Sequence, residues 1–276
     1  MVISLVNMII IKKVINNQLV DAADLLAVEE PLEIQLSFVT DNKRSTKSIS
    51  VTMRTPGNDE ELAAGFLFTE GIINNNNQVE SVEVLPLREN IVVVTLNENV
   101  IPTLQKAERN FYTTSSCGVC GKSSIDAIRT VSVYNNEQDD ICLKATMFYG
   151  LQDQLIKQQL IFQSTGGLHA AALFNMEGNL IRVREDVGRH NALDKLVGTA
   201  LLNDELPLNK SILLLSGRAS FELLQKAIMA GIKIVAAVGA PSSLAVQLAK
   251  EGGITLIGFL KNERFNIYCG EQRVHL

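Results

Sequence analysis

The second half of the chain alternates short apolar runs with amphipathic stretches, and no other feature restricts the fold as strongly. Residues 211–215, 234–238 and 254–260 are apolar runs of strand length. The stretches between them have helical spacing and end at glycines such as Gly231. Strands that are apolar throughout are buried on both faces, so the pattern predicts a mostly parallel sheet covered by helices on each side.

Two more strands, at residues 168–174 and 179–184, and a helix at residues 188–202 precede these runs. The predicted order of this half is therefore β-β-α-β-α-β-α-β. In such a sheet, ligands bind beyond the carboxyl ends of the strands, where the helices begin. A ligand site is therefore expected at this edge of the sheet.

The first hundred residues predict a smaller α+β unit. Alternating or apolar strands are predicted at residues 33–39, 48–53, 79–84 and 91–96. A helix follows Asn58, with Glu61 in the capping-box position, and stops at Gly71. A further helix is predicted over residues 144–158. We therefore expect an N-terminal α+β domain (1–105), a cysteine loop predicted to be flexible with its connection (106–143), and a C-terminal α/β domain (144–276).

Composition excludes several classes of protein. The net charge is −5, so nothing favours general nucleic-acid binding. No apolar run reaches the ~20 residues that span a bilayer. The apolar run near the N-terminus is short and precedes its basic pair, which predicts a first strand rather than a signal peptide. We expect a soluble, cytoplasmic protein with reduced thiols.

Two cysteines form the C-x-x-C pair Cys117 and Cys120, which lies between small polar residues in an aperiodic stretch. The spacing alone is compatible with sulfur or disulfide exchange, with metal binding, or with no chemistry. A structural zinc site needs four ligands, whereas Cys142 and Cys269 are isolated and are expected to be buried as small hydrophobes. A thioredoxin-type pair would follow a strand and begin a helix. We predict no metal site.

Four polar segments fall at the predicted sheet edge, at residues 164–169, 184–191, 216–220 and 239–243. Helix N-termini with free N–H groups, glycines and arginines suit an anion such as phosphate. Glycine and serine also serve plain turns and caps, so the prediction rests on the four segments together. The candidate anion-binding residues are Thr165, Gly166, His169, Arg189, His190, Ser216 and Arg218.

The strand and helix order also matches the zinc-dependent nucleoside deaminases, whose site combines H-x-E with P-C-x-x-C. The corresponding positions here read His190-Asn191-Ala192 and Ser216-Gly-Arg-Ala-Ser220. The general-acid glutamate and both thiolates are missing, so deaminase chemistry is not expected even if the fold is shared.

Four long motifs in register resemble the FdhD-type sulfur carriers, the formate dehydrogenase accessory sulfurtransferases. They are Cys117-Gly-Val-Cys-Gly121, Thr165-Gly-Gly-Leu-His-Ala-Ala-Ala172, Glu185-Asp-Val-Gly-Arg-His-Asn-Ala-Leu-Asp-Lys195 and Arg218-Ala-Ser-Phe-Glu-Leu-Leu-Gln-Lys226. The resemblance extends over roughly residues 20 to 270. It implies that residues 144–276 form a cytidine-deaminase-like, three-layer α/β/α core domain, and that this domain binds a molybdenum cofactor.

The resemblance also implies an activity. A cysteine desulfurase would load a persulfide onto Cys117, with Cys120 as helper or alternative carrier. The sulfur would then pass to the bis(guanine dinucleotide) molybdenum cofactor before that cofactor enters the catalytic subunit of formate dehydrogenase. The alternative is a chaperone that only holds the cofactor for delivery. No cofactor is expected to be permanently bound, and a homodimer is expected.

A last segment is carried over from the family as cofactor-binding, with GDP as a fragment of the cofactor. Its residues are Phe259, Leu260, Lys261, Asn262, Glu263 and Arg264. The family often has glycine at the position of Glu263, and this departure weakens the expectation of close backbone contact there.

Overall fold

The elements of the protein are seen in a computed structural model that describes residues 5–85, 88–104, 132, 134 and 139–276. The strands are β1 (Val6–Ile15), β2 (Gln18–Ala27), β3 (Glu30–Thr40), β4 (Lys43–Arg54), β5 (Val79–Leu85), β6 (Arg88–Leu96), β7 (Leu143–Lys144), β8 (His169–Asn175), β9 (Leu180–Asp186), β10 (Ser211–Leu215), β11 (Ile234–Ala237), β12 (Thr255–Lys261), β13 (Arg264–Cys269) and β14 (Val274–His275). The helices are α1 (Asp59–Thr69), α2 (Leu151–Gln158), α3 (Leu160–Thr165), α4 (Arg189–Leu202), α5 (Phe221–Met229) and α6 (Ser243–Glu251).

The largest sheet has six strands in the order β13-β12-β11-β10-β8-β9. The predicted element order of the second half is confirmed. Only β10, β11 and β12 are parallel, while β8 and β9 on one side and β13 on the other pair antiparallel. The sheet is therefore mixed rather than mostly parallel, because short hairpin turns join β8 to β9 and β12 to β13, and such turns force antiparallel pairing.

A second sheet has four strands in the order β4-β3-β6-β5, and its strands are those predicted from alternation. Helix α1 packs against this sheet. Its capping box is a wrong prediction: Asn58 is the N-cap but has φ 57° and makes no side-chain cap hydrogen bond. Glu61 instead accepts from Arg184 of β9, at 2.7 Å from Nη2. A long-range ion pair has therefore taken the carboxylate that a local cap would use.

The predicted helix over residues 144–158 also differs, because the α-helix begins only at Leu151. Gly150 has φ 79°, a left-handed conformation that interrupts a helix. A short 3-10 turn, Ala145–Phe148, lies before it. The elements β2, β7, β13, β14 and α3 were not predicted, because their sequences are too short or too irregular in polarity to show a period.

The two larger sheets share one core, which is continuous through α1 and α4. A single cluster of buried side chains includes Leu36 of β3, Leu67 of α1, Leu196 of α4 and Leu213 of β10. The opposite face of the six-stranded sheet is covered by a second cluster that includes Phe148 and Leu155. The domain boundaries at 105/106 and 143/144 stay predictions, and the first lies outside the described residues.

Helices α1 and α4 approach each other so closely that each has a glycine at the crossing. A Cβ added to Gly65 would overlap the carbonyl oxygen of Asp194, and one added to Gly198 would overlap that of Glu61. Neither glycine has a positive φ. These glycines are therefore required by the contact between two backbones and not by their own conformation.

A buried ion pair lies beside this crossing. Lys226 Nζ of α5 donates to Asp194 Oδ2 of α4 and to Thr69 Oγ1 of α1, each at 2.9 Å, and Thr69 donates to Asp194 at 2.8 Å. Burial raises the pKa of Asp194. Burial lowers the pKa of Lys226, but the carboxylates of Asp194 and Glu70 raise it by more, so the lysine stays protonated. Breaking one partner of such a pair leaves an uncompensated buried charge.

The β1–β2 ribbon is a two-stranded sheet whose apolar side chains are largely in solvent. Met8 pairs with Leu25 and Val14 with Leu19 on the same face, and the exposed fractions of Met8 and Leu19 are 70% and 71%. A two-stranded ribbon is marginally stable by itself in water. No helix among the described residues is long and apolar enough to cross a membrane.

Replacing Gly198 with alanine is expected to lower the free energy of unfolding by about 3 kcal/mol or more, since the new methyl group forces two helix backbones apart. Urea unfolding followed by circular dichroism measures the change. Gly167→Ala is the matched control, because its Cβ would meet nothing nearer than 3.7 Å. A Gly198→Ala protein as stable as this control would contradict the tight crossing.

Candidate functional site

One edge of the six-stranded sheet collects the polar segments. Because β10, β11 and β12 are parallel, their last residues, Leu215, Ala237 and Lys261, lie at the same edge. The antiparallel neighbours bring the start of β8, the end of β9 and the start of β13 to it as well. We call this the polar edge and define it as residues 164–169, 184–191, 216–220, 239–243 and 259–264. The edge therefore contains all four polar segments together with residues 259–264, the segment carried over from the family.

Backbone hydrogen bonds hold the loops of the polar edge together. The N–H of Gly239 donates to the carbonyl oxygen of Gly217 at 2.9 Å, and that of Phe259 donates to Gly239 at 3.1 Å. A Cβ on Gly239 would lie 3.1 Å from the Gly217 oxygen and equally close to the Arg218 nitrogen. Gly239 thus lets three consecutive loops pack side by side and form a continuous surface.

Four basic residues of the polar edge have no ion-pair partner within the described part of the chain: Arg189, Arg218, Lys261 and Arg264. Arg189 is half-buried and the other three are exposed. Arg184 differs from them because it is engaged by Glu61. Unpaired cations gathered along one edge create a positive potential, which favours a ligand with several negative charges.

A cleft of about 420 Å³ opens beside His169 at this edge. Its lining includes Gly166, His169, Ser216 and Gly217 together with apolar residues of α2 and α3. Burial, together with the nearby Arg189 and His190, lowers the pKa of His169 below its ordinary value of 6.5. At neutral pH the imidazole is therefore neutral, so it can donate one hydrogen bond and accept another.

Two of the predicted anion-binding hydroxyls serve the backbone. Thr165 Oγ1 donates to the carbonyl oxygen of Ile161 at 2.8 Å and accepts from the Gly167 N–H at 3.3 Å. Ser216 Oγ accepts from the N–H of Ala170 at 2.8 Å and so extends the β8–β10 ladder. Gly166 has φ 69° and ends α3. These residues shape the cleft.

Glu185 positions the adjoining helix, a role that the sequence did not predict. Its carboxylate accepts from the N–H groups of Ile161 and Phe162, at 3.3 and 3.0 Å, in the first turn of α3. Burial raises the pKa of Glu185 even though these hydrogen bonds favour the charged form. The carboxylate thereby fixes the helix that leads into the Thr165–Gly167 turn.

A buried network ties the polar edge to the four-stranded sheet. Lys195 Nζ lies 2.8 Å from Asp186 Oδ2 and donates to the carbonyl oxygen of Thr55 at 2.8 Å. Asp186 also accepts from the N–H of Thr55 and from Asn191 Nδ2. The polar members of the motif at residues 185–195 could have indicated this network, since a lysine and an aspartate within an apolar helix pattern need buried partners.

His190 lies in the first turn of α4, with Nε2 2.7 Å from Glu222 Oε2. The contact has ion-pair distance but lacks the alignment of a hydrogen bond. No group of three or more metal-ligating side chains occurs in the part of the chain that the structure describes. Within that part, His190 is therefore not accompanied by the ligand set that zinc requires.

The family's last segment forms the β12–β13 hairpin, in which Lys261 pairs with Arg264. The exposed fraction of Phe259 is 46%, and its φ is 52°. A bulky residue with positive φ is an outlier, and such strain concentrates at functional sites. Leu260 is fully buried, so its side chain belongs to the core. Asn262 and Glu263 form the exposed turn.

The four cysteines divide into two groups. Cys117 and Cys120 lie outside the described residues. Cys269 is buried as predicted, and its Sγ donates to the carbonyl oxygen of Ile254 at 3.3 Å. The prediction that Cys142 is buried is wrong, since it is exposed. It precedes a short edge strand, where alternate side chains point to solvent.

The imidazole of His169 is expected to titrate below pH 6.5 because burial and Arg189 disfavour its charged form. The native state thus keeps its full stability above the pKa that His169 has in the unfolded chain. It loses part of that stability as the pH falls through the lowered pKa of the native state. NMR titration of the ring Cε1–H signals, assigned with His169→Gln, measures this. Arg189→Gln is expected to raise the midpoint, whereas Arg44→Gln, at a residue paired with Glu80, is not. A midpoint at or above 6.5 in the wild type would contradict the prediction.

Comparison with known proteins identifies relatives along nearly the whole chain. A sequence model of the FdhD/NarQ family matches residues 27–275. A sulfur carrier protein FdhD of Streptomyces avermitilis is 49% identical over 261 residues, which cover 92% of this chain and 90% of the relative. A protein of the same name from Saccharolobus solfataricus is 39% identical over 253 residues, 92% of each chain.

A solved structure has the same fold. It is a crystal structure described as a formate dehydrogenase accessory protein from Desulfotalea psychrophila, with a TM-score of 0.73 and 25% sequence identity. The alignment covers 99% of this chain and 100% of that one. From the matched residues and the identities of its relatives, we conclude that the chain belongs to the FdhD/NarQ family.

Proposed function

We propose that this protein is a sulfurtransferase that carries sulfur during the maturation of formate dehydrogenase. The names of its relatives support the general role. In detail, a cysteine desulfurase loads a persulfide onto Cys117, with Cys120 as helper or alternative carrier. The sulfur then passes to the bis(guanine dinucleotide) molybdenum cofactor, which is the acceptor substrate, before that cofactor enters the catalytic subunit of formate dehydrogenase.

The observation that carries the proposal is the set of cations on the polar edge that have no ion-pair partner among the described residues. The acceptor has two pyrophosphate groups, and Arg218, Lys261 and Arg264 reach solvent along one continuous surface. Arginine binds phosphate oxygens through two parallel N–H groups, and helix N-termini add further donors. Helix α4 also begins at this edge, at Arg189, and has no side-chain cap. This chemistry fits a polyanion of the acceptor's kind.

The exposed ring of Phe259 supplies a second element of recognition. The acceptor ends in guanine bases, and a base stacks on an aromatic face with a gain of about 1–3 kcal/mol. Phe259 lies near both cations, because its N–H is bonded to Gly239, which packs against Arg218, and because Lys261 follows it by two positions on β12. We assign Phe259 to the guanine and the neighbouring cations to the phosphates.

The remaining parts of the proposal come from the resemblance. The core domain is cytidine-deaminase-like, and the protein acts in the cytoplasm. It forms a homodimer, for which the apolar face of the β1–β2 ribbon offers a surface, since large exposed apolar patches mark protein interfaces. Light scattering that gave only the monomer mass of 30.2 kDa would contradict the homodimer.

A cofactor chaperone without sulfur transfer is the second candidate, because the polar edge by itself accounts for cofactor binding. The two candidates differ in what they require of Cys117. Sulfur transfer needs its thiolate, whereas a chaperone needs only the edge.

Incubation with a cysteine desulfurase and cysteine is expected to add about 32 Da, one sulfur atom, to the peptide that contains Cys117 and Cys120. Mass spectrometry after alkylation locates the added sulfur. Cys117→Ala is expected to abolish formate dehydrogenase maturation while binding of the cofactor is unchanged. The Cys269→Ala protein is the control, because that thiol is buried. Full maturation by the double variant Cys117→Ala/Cys120→Ala would leave the chaperone as the function.

Arg218→Gln and Lys261→Gln are each expected to weaken GDP binding about 10- to 100-fold, because a charge-assisted hydrogen bond contributes about 1.5–3 kcal/mol. Calorimetric titration measures the affinity, and the loss is expected to shrink at high salt. Arg44→Gln is the matched control, since Arg44 is paired with Glu80 on the four-stranded sheet. Equal affinities in all three variants would exclude the polar edge as the phosphate site.

A further inference from the structure

A second thiol is paired with a histidine at a distance from the polar edge. Cys142 Sγ lies 3.2 Å from His275 Nδ1, within hydrogen-bond reach. Both residues are exposed. A thiol in contact with an imidazole is the arrangement by which a cysteine becomes a nucleophile at neutral pH, because the ring accepts the proton. This pair differs from Cys269, whose thiol is buried against a backbone carbonyl.

The pairing follows from the register of β7 and β14, which run parallel. Val274 lies opposite Leu143, and His275 lies opposite Lys144. Leu143 and Val274 face the core. Because side chains alternate along a strand, Cys142 and His275 project to the other side. Cys142 immediately precedes β7, so the pairing of Leu143 with Val274 brings Cys142 and His275 to the same exposed side.

The two side chains open into a shared cleft of about 640 Å³. Its lining includes the β8–β9 turn, with Glu177 and Gly178, and the charged Lys144. That turn follows the last residue of β8, whereas His169 is its first residue. The seven residues of the strand separate the two by about 20 Å. Nearby, Asp139 is held by Arg273 at 2.7 Å. The cleft is thus separate from the polar edge and has room for a small donor molecule.

We propose that Cys142 and His275 form a second sulfur-accepting site, which takes the outer sulfur of a persulfide. The inference rests on the proposed function for the class of donor, since sulfur carriers encounter persulfides. His275 acts as the base and Cys142 as the nucleophile.

The step is balanced without an oxidant. The Cys142 thiol gives its proton to His275 Nδ1, and the thiolate attacks the outer sulfur of R–S–SH. The sulfur–sulfur bond of the donor breaks and one forms to Cys142 Sγ. The departing RS⁻ takes the proton from the imidazolium. The sum is R–S–SH plus Cys142–SH giving R–SH plus Cys142–S–SH, with no net change in oxidation state.

Glutathione persulfide is the probe, used on the full-length Cys117→Ser/Cys120→Ser protein so that the C-x-x-C pair contributes nothing. Mass spectrometry after alkylation is expected to show a gain of about 32 Da on the peptide with Cys142 and none on that with Cys269. No added sulfur on Cys142 would overturn the proposal. The same holds for a glutathione mixed disulfide as the only product.

His275→Ala tests the role of the base. It is expected to slow the initial rate of sulfur loading about tenfold at about pH 7. In an enclosed active site the loss would be about hundredfold or more, and the smaller effect is expected here because the pair is exposed. The rate is expected to recover at about pH 9.5, where a thiol ionises without help. A merely structural histidine would not give this recovery. An unchanged rate at pH 7 would overturn the role of His275.

Wild-type protein separates this proposal from the proposed function. Sulfur on the Cys117–Cys120 peptide but never on Cys142 removes the second site and leaves the carrier role intact. Sulfur on Cys142 together with an unloaded C-x-x-C pair supports the second site and removes Cys117 as the carrier.

Discussion

The close crossing of α1 and α4 is the contact on which the rest of the structure depends. Gly65 and Gly198 let the two helix backbones touch, and a methyl group at either position would overlap a carbonyl oxygen of the other helix. Because α1 belongs to the four-stranded sheet and α4 to the six-stranded sheet, the crossing turns two small cores into one. Asp194 and Lys226, buried beside it, hold a third helix to the pair. A loss of this contact would expose apolar surface on both sheets.

The joining of the two sheets also positions the polar edge. The network of Thr55, Asp186 and Lys195 joins the end of β4 to the end of β9. It therefore fixes the start of α4, where Arg189 and His190 lie. Glu185 fixes α3 in the same way, from the neighbouring position in the sequence. Buried charges and caps thus set the position of the exposed cations, and a rigidly placed site loses less entropy when a polyanion binds.

Much of the fold and part of the site could be predicted from sequence. The five strands predicted for the second half and the helices that fill the stretches between the apolar runs agree with the prediction, and α5 ends just before Gly231. The capping box predicted at Asn58 does not form, because the distant Arg184 binds Glu61. Helix α2 starts later than predicted, because Gly150 has a left-handed backbone conformation. A local sequence pattern shows neither cause. The polar segments were identified as a set, but the structural uses of Thr165 and Ser216 were not.

The sequence by itself determined the alternation of strands and helices and therefore the edge at which ligands would bind. It also determined the family, because the motifs are long and in register. Only the tertiary structure decided which charges are paired. Arg184 and Arg218 look alike in sequence, but Glu61 neutralises Arg184, while Arg218 has no ion-pair partner in the described part of the chain. It also decided that Cys142 meets His275, 133 positions away. Contacts between residues that distant depend on strand register, which is set by the buried core and not by any local sequence pattern.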